Sequence, residues 1–98
     1  MRNVPQFTIG DRVRIEDPRF PDFWANGAVG SIAEPPTVIR DLSGGWTGHV
    51  RSVRTTSGLQ SYYWVEFDDE RRDADGDGPY REAEIAAAAL HLLGGSPA

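Results

Sequence analysis

Eleven glycines and seven prolines are scattered through a chain of 98 residues, and this spacing most limits what the chain can become. Proline lacks a backbone N–H and clashes inside a helix. Glycine supplies the positive φ that tight turns need. A chain broken up so often is expected to make short strands joined by turns. Between the breaks, Arg12-Val13-Arg14-Ile15-Glu16 alternates apolar and polar residues, the period of a half-buried strand. Ala28 to Glu34 reads as a second strand, in which Gly30 marks a bulge or a sharp bend. Residues 47–55 and 59–68 read as a hairpin closed around Thr56-Ser57-Gly58. In its second arm Tyr63, Val65 and Phe67 share one face, expected to be the core face. Trp64 falls on the other face, where it would cover one end or lie in a contact surface. Thr37 to Arg40 reads as a brief extra strand after Pro35-Pro36, and residues 69–79 as a polar loop. Ala83 to Leu93 has helical character because it holds four consecutive alanines. It reads equally as a helical turn that feeds a closing strand through Leu90-His91-Leu92-Leu93. The expectation is an all-β single domain over residues 1–98, with an ordered core over 7–93. It is a small barrel of about five strands with a long first loop from Asp17 to Gly27.

An apolar fraction of 39% with ten aromatic residues suffices for one core. A chain of this length buries about 60–70% of the surface it exposes when unfolded, which leaves nothing for a second core. There is no cysteine, so disulfides, thiolate metal sites and thiol nucleophiles are excluded. No segment approaches the roughly 20 apolar residues of a membrane-spanning helix, and the first residues lack the apolar run of a signal peptide. A cytoplasmic location is the expectation. The net charge of −5 is concentrated: nine acidic and three basic residues lie between Glu66 and Glu84. Nucleic-acid binding calls for a clustered positive surface; the overall balance argues against it, and a nucleic-acid-binding barrel with Arg14, Arg51 and Arg54 as a local positive strip stands as the third reading beside a partner-binding module and a calcium-binding protein.

The most specific local pattern is Asp73-Ala74-Asp75-Gly76-Asp77-Gly78 with Glu84 six residues on. It fits the calcium-loop spacing D-x-[DN]-x-[DN]-G-x5-E at every specified position. Calcium takes six to eight oxygens. Asp73, Asp75 and Asp77 would supply side chains, Pro79 its carbonyl, and Glu84 both carboxylate oxygens. The residues ahead of Asp73 read as strand and loop rather than an entering helix, and Arg81 stands where a water-linked ligand is common. The opposing expectation is an acidic surface turn anchored by Tyr80 and Ile85.

Phe20, Phe23 and Trp24 cluster in the first loop. They read either as a small core closing one end or, together with Trp46 and Trp64, as a contact surface for a partner. His49 and His91 are the only histidines. Neither has a nucleophile or second histidine at a familiar spacing, and no catalytic centre is expected.

The run Gly10-Asp11-Arg12-Val13-Arg14-Ile15, the loop bearing Phe23-Trp24-Ala25-Asn26, and Gly27-Ala28-Val29-Gly30-Ser31-Ile32 together resemble a known superfamily. The later Tyr63-Trp64-Val65-Glu66-Phe67-Asp68 is similar to its inner strand. These are the SH3-like barrels of electron-transport accessory proteins. They include the small barrel subunit of photosystem I, the variable chain of ferredoxin–thioredoxin reductase and the barrel domain of the nitrile hydratase β subunit. Relative to the short photosystem barrel, residues 33–48 look inserted. The resemblance implies an SH3-like barrel and a non-catalytic role beside a larger protein partner. It carries over no individual functional residue.

Overall fold

The computed structural model describes residues 6–73 and 75–94. The expectation for the first residues therefore lies largely outside the described part. Seven strands form one antiparallel sheet: β1 (Arg12–Ile15), β2 (Val29–Ala33), β3 (Trp46–Thr47), β4 (Val50–Thr55), β5 (Gly58–Arg71), β6 (Tyr80–Ala86) and β7 (Leu90–Gly94). A short helix, α1 (Thr37–Ser43), lies between β2 and β3, and a 3-10 turn (Ala87–Ala89) between β6 and β7. None of the described helices is long and apolar enough to cross a membrane.

The strand order is β3-β4-β5-β2-β1-β7, with β6 also paired to β5. The fourteen-residue β5 organises the sheet. Its first half pairs with β4, its middle with β2, and β6 runs beside it from Tyr62 to Glu66. One cluster of buried side chains takes in Val13 and Ile15 of β1, Ile32 of β2, Tyr63, Val65 and Phe67 of β5, Ile85 of β6, and Leu90 of β7. A flat sheet could not bring its outermost strands to a common core, so this one curls around its apolar face. Tyr63 is the largest fully buried side chain. Its ring meets Phe7 edge-on at 5.2 Å, and its hydroxyl oxygen accepts the Gln6 N–H at 2.8 Å.

The small all-β fold matches the sequence reading, but the described residues form seven strands rather than about five. The two additions are β3 and β6. Gly48-His49 turn the chain so that Trp46 and Thr47 pair back on Arg51 and Val50. The segment with helical character is strand through Ala86. Ala83 and Ile85 pair with Val65 and Tyr63 on the core face, and that pairing outweighs the weak helix preference of alanine. Only Ala87–Ala89 coil, and Leu90 onward closes onto β1 as a strand. Residues 37–40, expected as a strand, begin α1 instead. The β-branched Thr37-Val38-Ile39 suggested extension, but Pro36 stands at the N-cap, where its missing N–H costs nothing and its carbonyl accepts the Arg40 N–H, and Gly44 ends the helix. Gly44 takes φ 69°, and its N–H donates to the Arg40 carbonyl. Gly30 makes no bulge. It pairs in register with Val13 and Phe67, and the backbone of β5 passes too close for any side chain.

Candidate functional site

The first loop is built on two short polar side chains. The Asp17 carboxylate accepts the Arg19 N–H at 3.0 Å and two guanidinium N–H groups at 3.1 and 3.0 Å. This bonding holds the Asp17 carboxyl below the usual carboxylate range, against the effect of its burial. The Asn26 side chain accepts the Asp17 N–H and donates to the carbonyls of Phe20 and Pro21. The loop is thereby folded into consecutive turns rather than left open.

These turns set the three aromatic residues in different environments. Trp24 is half-buried and meets three rings: Phe23 at 5.9 Å, Phe67 at 5.8 Å and Tyr80 at 5.6 Å. Such edge-on and tilted contacts are the favourable arrangements for aromatic pairs. Phe23 and Trp24 therefore pack, half-buried, against the main core. Phe20 remains outside, 59% exposed, with the Arg19 guanidinium 5.4 Å from its ring.

The acidic loop is fastened to the first loop. Arg71, the last residue of β5, donates to the carbonyls of Asn26 at 2.8 Å and Trp24 at 3.3 Å. The ring of Tyr80 lies against Trp24, and its hydroxyl donates to Asp73 at 3.3 Å. The adjacent aspartates, Asp73 foremost, push the Tyr80 phenol above its ordinary range. Asp73 also accepts the N–H groups of Asp75 and Asp77. Arg72 donates to the carbonyls of Gly76 and Gly78, and the Gly78–Pro79 peptide is cis.

Carboxylate oxygens of Asp73, Asp75 and Asp77 lie within 4.8 Å of one another. Glu84, the proposed closing ligand, is not with them. It sits on β6 opposite Trp64, and its carboxylate receives Arg51 at 3.1 Å. The ion pair is half-buried, so extracting Glu84 toward the loop would strand the Arg51 charge. The twelve-residue ligand set is thus split between a loop and a strand.

The remaining tryptophans lie elsewhere. Trp64 is 7% exposed and donates its indole N–H to Glu82 at 2.6 Å. It is held within the fold and offers almost no contact surface. Trp46 pairs with Arg51 in the β3–β4 hairpin, half-buried, and its enclosed indole N–H has no acceptor among the described residues. His49 holds the Phe7 carbonyl at 2.7 Å and leans on the Tyr63 ring, and His91 holds the Glu16 carbonyl at 2.9 Å. A shallow depression of about 240 Å³ between Arg19, Leu59, Gln60 and Ala87 gathers no acid or base beyond Arg19, which Asp17 already occupies.

The sequence drew attention to the first loop and the acidic loop separately. It gave no sign that they meet: Tyr80 reads as an anchor of the acidic turn without showing against what, and Arg71 carries no motif. Compared with protein-family models, with curated proteins and with solved structures, the chain matches none.

Proposed function

We propose that this chain is a non-catalytic interaction module that docks on a larger, basic protein through the end formed by the first loop and the acidic loop. The observation that carries this reading is their junction: Trp24 against Tyr80, with Arg71 bonded to the first loop's carbonyls. The loops so joined carry exposed Phe20 and Asp22 on one side and exposed Tyr80, Asp75 and Asp77 on the other. Aromatic anchors ringed by charge are characteristic of docking patches. A surface of negative charge selects a positive partner. The order β7-β1-β2-β5-β6, with a 3-10 turn before the last strand, supports the SH3-like reading. The stretch from α1 to β4 is then an insertion between β2 and β5. Cytoplasmic residence belongs to the same reading.

Phe20→Ser is expected to leave stability within about 0.5 kcal/mol of the parent, as an exposed substitution does. Yet a tagged variant should no longer retain a basic partner that the tagged parent retains from native extract and releases with salt. No salt-released partner, or one retained equally by the variant, would sink the proposal.

A second reading is favoured by the convergence of Asp73, Asp75 and Asp77: the acidic loop takes a calcium ion. Without Glu84, three carboxylates supply fewer oxygens than the six to eight calcium prefers. Calorimetric titration with calcium is expected to show one saturable event, absent in Asp75→Ala and unchanged in Glu84→Gln. A flat titration of folded protein ends this reading.

A further inference from the structure

Asn26-Gly27 is the one Asn-Gly pair in the chain, and the fold requires each member. Gly27 takes φ 86° at the end of the first loop, a conformation that residues with side chains rarely adopt. Position 26 needs an amide. Its Oδ1 accepts the Asp17 N–H at 2.9 Å, while Nδ2 donates to the carbonyls of Phe20 at 3.0 Å and Pro21 at 3.2 Å. An ionised carboxylate could make the first bond and neither of the others, because it has no proton to donate. The same pair is chemically vulnerable. Glycine has no side chain to hinder attack by its own nitrogen, and beyond its chain neighbours no described heavy atom lies within 4 Å of where a Gly27 Cβ would stand.

We propose that Asn26-Gly27 is a latent deamidation site, silent while the first loop is folded and irreversible once it has reacted. In the reaction the Gly27 nitrogen bonds to Asn26 Cγ and the Cγ–Nδ2 bond breaks. The side-chain NH2 leaves as ammonia, with the proton that the Gly27 nitrogen has shed. Atoms already joined through the backbone close a five-membered succinimide, an intramolecular step that needs no enzyme, oxidant or metal. Water then adds to one of the two ring carbonyls. The product is aspartate at position 26, or isoaspartate, in which the main chain runs through the former side chain.

The folded loop opposes each part of this step. The Gly27 N–H donates to the Ile15 carbonyl at 2.7 Å, which ties the attacking nitrogen to β1. Three hydrogen bonds hold the amide that must turn and lose its nitrogen. The Asn26 carbonyl accepts Arg71 at 2.8 Å, which fixes the peptide between the two residues. Gly27 itself is exposed, so hydrogen bonding protects the pair, not exclusion of water. The reaction therefore waits on local opening of the loop. Neither product restores the loop as built. A carboxylate at position 26 sets a negative oxygen against the Phe20 and Pro21 carbonyls and leaves both without their donor. Isoaspartate lengthens the main chain by one carbon and carries the Gly27 N–H off Ile15. Each product is a covalent record that the loop bearing Phe20 has opened.

The test incubates folded protein and protein in guanidinium chloride side by side in mildly alkaline buffer. Mass spectrometry of the tryptic peptide 20–40 follows conversion of the amide to the acid. In the unfolded chain Asn26 is expected to convert, and faster than Asn3, whose neighbour Val4 is branched and hinders ring closure. In the folded protein conversion of Asn26 is expected to be at least about tenfold slower, the ratio for an opening that costs about 1.4 kcal/mol. This comparison uses the parent chain alone and so does not depend on any variant folding. Asn26→Asp supplies the first product directly. Hydrogen exchange at its Phe23 and Gly27 amides is expected to be faster than in the parent. Equal conversion of folded and unfolded protein, an Asn26 that stays unreactive in guanidinium chloride, or an Asn26→Asp variant with parental exchange at both amides would each overturn the proposal.

Discussion

Gly30→Ala is expected to destabilise the domain by about 3 kcal/mol or more, the upper end of overpacking costs. A Cβ at this position would lie 2.2 Å from the Glu66 carbonyl oxygen, 2.9 Å from Val65 Cγ1 and 3.0 Å from the Glu66 carbonyl carbon. Two of these three atoms are backbone, which no change of rotamer can move. β2 cannot slide away, because Gly30 is paired on both sides, with Val13 and with Phe67. The β2–β5 contact must open, and the core beneath it, Ile32 and Val65, opens with it. Against a total stability of about 5–15 kcal/mol for a domain of this kind, that loss is large. Thermal unfolding followed by circular dichroism should show a Tm lower by about 12–24 °C. A variant melting within a few degrees of the parent would mean that the close approach of β5 to β2 is not as described.

Trp24→Ala is expected to cost about 2–3 kcal/mol, somewhat below the loss from a fully buried tryptophan, because Trp24 is half-buried. Its indole is the common neighbour of Phe23, Phe67 and Tyr80. Removing it takes away the edge contacts with all three. It also weakens the junction of the first loop with the acidic loop, leaving only the Arg71 guanidinium, bonded to the Trp24 and Asn26 carbonyls, to hold them. Two readouts distinguish this from general loosening. Denaturant unfolding gives the stability change, and hydrogen exchange should show protection lost first in both loops while β1 and β5 keep theirs. Trp24→Phe retains an aromatic ring and should recover part of the loss. If the loops keep their protection in Trp24→Ala, the junction does not depend on the indole. The pairing of this variant with Phe20→Ser is informative: one changes stability and the docking surface together, the other only the surface.

Part of this structure is legible from single residues and short periods. The alternation in Arg12–Ile15 and in Tyr63-Trp64-Val65-Glu66-Phe67 assigns strands and identifies their core face. Val13, Ile15, Tyr63, Val65 and Phe67 are all buried. β6 carried the same kind of signal in Glu82-Ala83-Glu84-Ile85, an alternation that sets Ala83 and Ile85 opposite Val65 and Tyr63. The adjacent alanines obscured it, because alanine favours a helix on its own while small side chains also fit a crowded sheet. α1 was obscured in the opposite way, by β-branched residues that follow a proline well placed to start a helix. None of its residues is buried, so no apolar period existed to reveal it.

For the candidate site the division is sharper. Spacing alone placed Asp73, Asp75 and Asp77 together, since a glycine-rich turn of five residues keeps its carboxylates close. Spacing could not place Glu84, because whether residue 84 closes the loop or enters a strand depends on what lies across from it. Trp64 and Arg51 lie there, twenty and thirty-three positions away, and the Arg51 ion pair holds Glu84 on the sheet. The sequence by itself determined the absence of thiol chemistry, an all-β chain, and a concentration of negative charge late in the chain, because composition and local period fix these without reference to partners. Only the tertiary structure decided that Trp64 is enclosed, that Phe20 is exposed while Trp24 packs against three rings, and that the two loops are joined. Each of these depends on contacts between distant residues, and those exist only once the sheet has curled.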